Sequence, residues 1–299
     1  MLSSPAVILV IAMLVLGKLY SYTRLLPSNT PEVINKLVIW VFLPALVLKA
    51  TAGLTLRAEL MLLVLTPWLL AACTLALVWL LARLCRWPRP VVGCLLLCVA
   101  LGNTAFLGYP LVEAVLGHDA LPYAVVYDQL GSFLLLSSFG LVVVAVYSGG
   151  ARPSVGVIVH KVLTFPSFGA LLIGLLPWTR PALLEGLIQT LAGLLVPMAM
   201  FAVGMQLKLV PSRAYAGATA AGLGLKLLVL PAIAWLAANA AGAEADIVRV
   251  STLQSAMPAM ITAGALATDA RLAPELAAAL VGYGILIALL WLPLLASWM

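Results

Sequence analysis

Runs of about 20 mostly apolar, uncharged residues follow one another along this 299-residue chain. That is the length an α-helix needs to cross the roughly 30 Å hydrocarbon core of a bilayer. In lipid, every backbone N–H and C=O must be satisfied without water, which leaves helices and closed barrels as the spanning structures. The apolar residues here are contiguous rather than alternating, which selects helices. Charged residues make up only 9% of the chain and mean hydropathy is +1.18, against about a quarter charged in a soluble domain. The fold class expected is an all-α polytopic membrane protein.

Charged and Pro/Gly punctuation divides the runs into ten transmembrane helices, near 4–23, 33–52, 60–82, 90–116, 120–147, 158–178, 182–206, 213–238, 246–268 and 274–298. With the N-terminus outside, eleven Lys/Arg flank the inner ends (Lys18, Arg24, Lys36, Arg83, Arg86, Arg89, Arg152, Lys161, Lys208, Arg213, Arg271) and three the outer (Arg57, Arg180, Arg249). Positive residues concentrate on the cytoplasmic side, so both termini are expected outside the cytoplasm, with the chain multi-pass in the inner (plasma) membrane. Lys49 snorkels at its span end. The same spacing of basic residues explains the pI near 9.3 without nucleic acid as a partner. The N-terminus lacks a basic n-region and an A-x-A exit, and reads as a first span rather than a cleaved signal. Most tryptophans fall near span ends, as an interfacial belt does.

The longest connection, "YSGGARPS", lies near mid-chain. It separates two five-helix halves, 1–148 and 149–299, which an odd helix count places in opposite orientations. Pro5 matches Pro166, Pro44 matches Pro197 and Gly102 matches Pro258, at offsets of 161, 153 and 156. Their agreement predicts a 5+5 inverted repeat.

The fourth and ninth spans each carry helix-breakers at mid-depth, in "LGNTAFLGYP" and "LQSAMPAM". An unwound backbone survives there only where it faces protein or a water-filled cavity. Paired breaks of this kind, one per repeat, form ion and substrate sites in transporters, with half-helix N-termini directed at an anion. Asn103, Thr104, Gln254 and Ser255 stand beside the breaks and are the candidate binding side chains. Lys226 falls mid-span in the eighth helix and Asp128 in the outer half of the fifth. A charge at helix mid-depth costs about 2.5 to 3.5 kcal/mol on insertion scales, so it faces a cavity or a partner. Lys226 can pair with a carboxylate, bond unwound carbonyls, or stand in for a coupling cation. Asp128 can titrate during transport, so either residue is a candidate for proton coupling or for a static structural charge.

These segments resemble the auxin efflux carrier family of plants and bacteria. "LGNTAFLGYPL" is similar to that family's fourth-helix crossover, and "LQSAMPAMITAGALA" to its ninth-helix crossover. "YDQLGSFLL" and "LKLLVLP" resemble bacterial members. Plant members carry Pro where this chain has Gly102, and a long cytoplasmic loop where this chain has a short one. The resemblance implies secondary transport of small organic anions, carboxylates such as malonate-like or auxin-like acids. It implies a scaffold domain (helices 1, 2, 6 and 7) and a transport domain (helices 3–5 and 8–10) in elevator-type motion, on a fold related to bile-acid/sodium symporters. By the same resemblance Asn103, Thr104 and Gln254, with the backbone at Gly102 and Pro258, line the substrate site.

Other classes fit less well. "YD" at 127–128 and "GLGLK" at 222–226 echo intramembrane aspartyl proteases, but Lys226 stands where a second carboxylate is needed. A sodium-coupled symporter or a cation/proton antiporter requires more acidic residues near the crossing than Asp128 alone. Neither an H-E-x-x-H nor a G-x-S-x-G motif occurs. Cys94 and Cys98 share a helix face without a third ligand and read, like Cys73 and Cys85, as packing residues. His118 and His160 are expected in loops, and Glu113 and Asp119 at the outer mouth. No metal or cofactor is expected, and the partners are a small organic anion and the lipid bilayer, with a homodimer compatible.

Overall fold

A computed structural model describes residues 5–298 except 24, 28, 53, 55–56, 150–152, 178–179, 208 and 210–212. Arg24, Arg152, Lys208, Trp178 and the centre of the mid-chain loop therefore lie outside the described residues. The chain is helical, in the order α1 (Pro5–Thr23), α2 (Thr30–Thr51), α3 (Ala58–Cys85), α4 (Arg89–Ala100), α5 (Gly108–Leu116), α6 (His118–Ser148), α7 (Val155–Leu163) and α8 (Pro166–Gly174). The remainder are α9 (Ala182–Gln206), α10 (Arg213–Ala240), α11 (Ala245–Ser255), α12 (Ile261–Asp269) and α13 (Pro274–Trp298). Among the described residues there is no strand, only one isolated β-bridge.

Six helices are long and apolar enough to cross a bilayer alone: α2, α3, α6, α9, α10 and α13. The pair α7–α8 is bent by 63° and makes a seventh if counted as one span. The bend falls at "TFP", where Pro166 opens α8 and bars its predecessor from helical geometry. His160, expected in a loop, lies inside α7. The expected fourth and ninth spans are each two shorter helices, α4 with α5 and α11 with α12.

Polarity is arranged as a bilayer requires. Large apolar side chains are exposed on the outside, Leu183 and Leu290 among them, while Asn103, Thr104, Asp128, Gln129, Lys226 and Gln254 are buried. Small residues bring helices together at backbone range, the usual device where apolar burial gives no drive between helices in lipid. A Cβ added at Gly17 of α1 would lie 2.1 Å from the Phe201 carbonyl oxygen of α9. One added at Gly204 of α9 would lie 2.1 Å from that of Leu14. On the other side, a Cβ at Gly174 of α8 would meet Thr51 Oγ1 of α2 at 2.0 Å.

Prolines inside the long helices leave recognisable defects. Pro44 and Pro231 each follow a wide π-turn, Val38–Phe42 in α2 and Leu225–Val229 in α10. Proline has no N–H, so the carbonyl four residues earlier loses its helical donor. For Pro231 that carbonyl is Leu227 O, and the Trp291 indole of α13 donates to it at 2.8 Å. The partly buried Trp291 is thus a polar clasp between α13 and α10. Trp291→Phe is expected to leave this acceptor unpaired and cost about 1–3 kcal/mol, read as a lower thermal midpoint of the purified protein.

Candidate functional site

The two interruptions answer each other's hydrogen bonds. Past the end of α4, Asn103 N–H donates to Pro258 O at 2.8 Å, and Met260 N–H donates to Leu101 O at 2.9 Å. Gly102 and Ala259 form an antiparallel bridge between them. Within the first interruption Thr104 N–H donates to Gly102 O, and Gly108 N–H, opening α5, to Asn103 O, each at 2.9 Å. The backbone freed by "LGNTAFLGYP" is therefore satisfied partly by the other break and partly within the segment itself, as the bilayer interior demands. The half-helices pair accordingly: α4 packs on α12 and α5 on α11.

Side chains hold this arrangement from two directions. Thr104 Oγ1 donates to Asp128 Oδ1, and Tyr109 OH and Gln129 Nε2 donate to Asp128 Oδ2 at 2.7 and 2.8 Å. Gln129 Nε2 also reaches Tyr109 OH at 3.4 Å. Asp128 lies in the first half of α6, in the π-turn Tyr127–Ser132, where its carboxylate meets the first interruption through Thr104. From the other direction Gln254 Nε2 donates to Thr104 O at 3.2 Å and to Ala124 O at 3.4 Å. A Cβ at Gly108 would fall 2.4 Å from Gln254 Oε1, so the glycine is what lets this amide lie across the start of α5.

Lys226 is buried, and among the described residues it forms no ion pair. Its tip packs on the bridge: a Cβ at Gly102 would lie 3.0 Å from Nζ and 3.4 Å from Met257 O. The absence of a side chain at Gly102 is what makes room for the ammonium.

A cavity of 170 Å³ opens beside the interruptions. Asn103, Asp128, Gln129 and Lys161 line it, with Ile261 and Thr262 from the first turn of α12. No side chain caps that helix, so its initial N–H groups form a partial positive pole. Asn103 Nδ2 is buried without a hydrogen-bond partner among the described residues. Phe133 of α6 and Phe165, at the α7–α8 bend, stack at 4.1 Å between ring centroids and wall the same cavity. Of the sequence-derived candidates, the structure joins Gly102, Asn103, Thr104, Pro258, Asp128 and Lys226 around the bridge. Gln254 braces Thr104, and Ser255 Oγ donates to Thr252 O of its own helix at 2.7 Å; of the candidates Asn103 and Asp128 line the cavity, whereas Gly102, Thr104, Lys226, Gln254, Ser255 and Pro258 do not.

Tyr109, Gln129 and Lys161 were not singled out by sequence, although Tyr109 and Gln129 lie inside the quoted segments. The signal for both was burial of a polar side chain in an apolar run. Away from the cavity, Arg57 pairs with Glu244 at 3.1 Å, which raises the guanidinium pKa, and His118 Nδ1 lies 2.8 Å from Glu113 Oε1. Among the described residues no three His, Cys, Asp or Glu side chains gather as a metal site.

A cavity among buried polar groups, at paired interruptions in apolar helices, fits a multi-pass membrane protein of transporter type. The profile of a family described as membrane transport protein matches residues 2–148 and 159–296. The chain belongs to that family, the auxin efflux carrier family. It is also 26% identical, over 98% of its length and 97% of the relative's, to an uncharacterized transporter of Methanothermobacter thermautotrophicus. Membership implies a small-molecule substrate and a lipid bilayer.

Proposed function

We propose that the chain is a secondary transporter of small organic anions, carboxylates in particular, which bind at the two interruptions. The observation that carries this reading is the uncapped α12 N-terminus beside Asn103, both on one cavity and, among the described residues, without an acceptor for the Asn103 Nδ2 or a side-chain cap on the helix. Free amide donors and a helix dipole at a desolvated site suit a carboxylate. In this reading Asn103 and the backbone from Gly102 and Pro258 onward contact the substrate, while Thr104, Gln254 and Ser255 keep the break in shape.

The architecture proposed is ten spans in a 5+5 inverted repeat, with the broken fourth and ninth helices crossing at the bridge. It is supported by pairs that recur at the repeat's spacing. Gly17 and Gly174 make close contacts on α1 and α8, and Thr51, which meets Gly174, and Gly204, which meets Leu14, lie at the matching contacts on α2 and α9, at offsets of 157 and 153. The backbone-tight packing of α1 on α9, and the close fit of Gly174 of α8 against the Thr51 side chain of α2, support a rigid scaffold against which the remaining helices slide in an elevator motion. The location proposed is the inner membrane, and the distribution of basic residues supports an orientation with both termini outside the cytoplasm.

A second reading, proton coupling, is favoured by the position of the Asp128 carboxylate on the cavity wall itself. Uptake into proteoliposomes across a carboxylate panel, with and without sodium and a pH gradient, tests both. Uptake of at least one acid without sodium is expected; flux of cations alone would overturn the transport reading. Unchanged pH profiles in both Asp128→Asn and Lys226→Gln would remove the coupling reading.

A further inference from the structure

Gln129 carries a constraint that its neighbours impose. Asp128, as a carboxylate, can only accept, and its three donors are Thr104, Tyr109 and Gln129. Gln129 must therefore turn its NH₂ toward Asp128, which fixes the amide and sends Oε1 the other way. That oxygen is buried and has no partner among the described residues. Gln129 is fully buried and lines the cavity. A buried acceptor without a donor forfeits its hydration with nothing in return.

Asn103 differs, because no neighbour fixes its amide, and it can turn its NH₂ to an anion. The cavity thus offers several donors (Asn103 Nδ2, the first amides of α12 and Lys161) together with one acceptor held in place, Gln129 Oε1. A simple aliphatic monocarboxylate satisfies the donors and leaves the acceptor unmet. An acid with its own O–H or N–H satisfies both.

Resting on the carboxylate reading above, we propose that Gln129 selects substrates bearing a hydrogen-bond donor near the carboxylate, a hydroxy acid or an N–H acid. Sites built to hydrogen-bond a substrate group discriminate strongly against analogues lacking it, since the site's own polar atom is then stranded.

The test is competitive uptake by the wild-type protein in proteoliposomes, using matched acids. Lactate against propionate and malate against succinate probe the O–H; indole-3-acetate against its N-methyl analogue probes the N–H. In at least one pair the donor-bearing acid is expected to be preferred by about tenfold or more. Gln129→Met is expected to bring that ratio close to one, whereas Asn103→Leu weakens both members together and preserves it. Equal uptake within every pair by the wild type overturns the proposal while leaving anion transport standing. A folded Gln129→Met protein that keeps the preference overturns it as well. Absence of uptake for every acid removes both readings.

Discussion

Asp128→Ala is expected to abolish transport and to lower the thermal midpoint of the purified protein more than any other single change at the site. The carboxylate accepts from Thr104, Tyr109 and Gln129 at once. Alanine removes the acceptor of the Thr104 and Tyr109 hydroxyls and leaves Gln129 Nε2 with only its 3.4 Å contact to Tyr109 OH. Each stranded buried group costs about 1–3 kcal/mol, so the sum is on the order of 3 kcal/mol or more. The loss is also geometric. Thr104 belongs to the first interruption and is held only from the Gln254 side once Asp128 is gone. Asp128→Asn keeps one acceptor oxygen and the shape, and is expected to fold with a smaller loss. Thermal melts of the three proteins in detergent check the order wild type, Asn, Ala. An alanine variant as stable as wild type would show that the carboxylate is not the keystone of the break.

Gly204→Leu is expected to be the most disruptive change far from the cavity. Its Cβ would fall 2.1 Å from the Leu14 carbonyl oxygen and 2.9 Å from the carbon behind it. Both atoms belong to the α1 backbone and cannot swing aside as a flexible side chain does. The helices must separate along their contact, with overpacking costs reaching or exceeding about 3 kcal/mol. Gly17→Leu, the reciprocal position, is expected to behave alike. Gly224 in α10 is the internal control, since a Cβ there meets nothing within 4 Å. Gly224→Ala is expected to leave stability unchanged or raise it by up to about 1 kcal/mol through helix propensity. Thermal midpoints of the three variants in detergent separate the cases, and equal midpoints would disprove the backbone contact.

Much of the molecule was legible in the sequence because the bilayer acts on contiguous residues. Apolar length alone marks the six helices long enough to cross a bilayer, and "LGNTAFLGYP" and "LQSAMPAM" announce their breaks through glycine and proline. Asn103, Thr104, Asp128 and Lys226 stood out because polar groups are costly in such runs. What was not legible was which way each group turns. Gln254, placed by sequence at the substrate, braces Thr104 from 150 residues away. Trp291, read as a membrane-interface residue, repairs the carbonyl that Pro231 orphans.

The sequence by itself determined that the chain lives in a membrane, where its helices break, and which residues carry charge into the apolar layer. Those follow from local propensity and transfer free energy, which each segment expresses without knowing its neighbours. Only the tertiary structure decided that the two breaks pair through Gly102 and Ala259, that Asp128 takes three donors, and that Gln129 is left with a free acceptor. Hydrogen-bond partnership depends on ångström-scale placement of groups distant in the chain, and that placement exists only once the helices have packed.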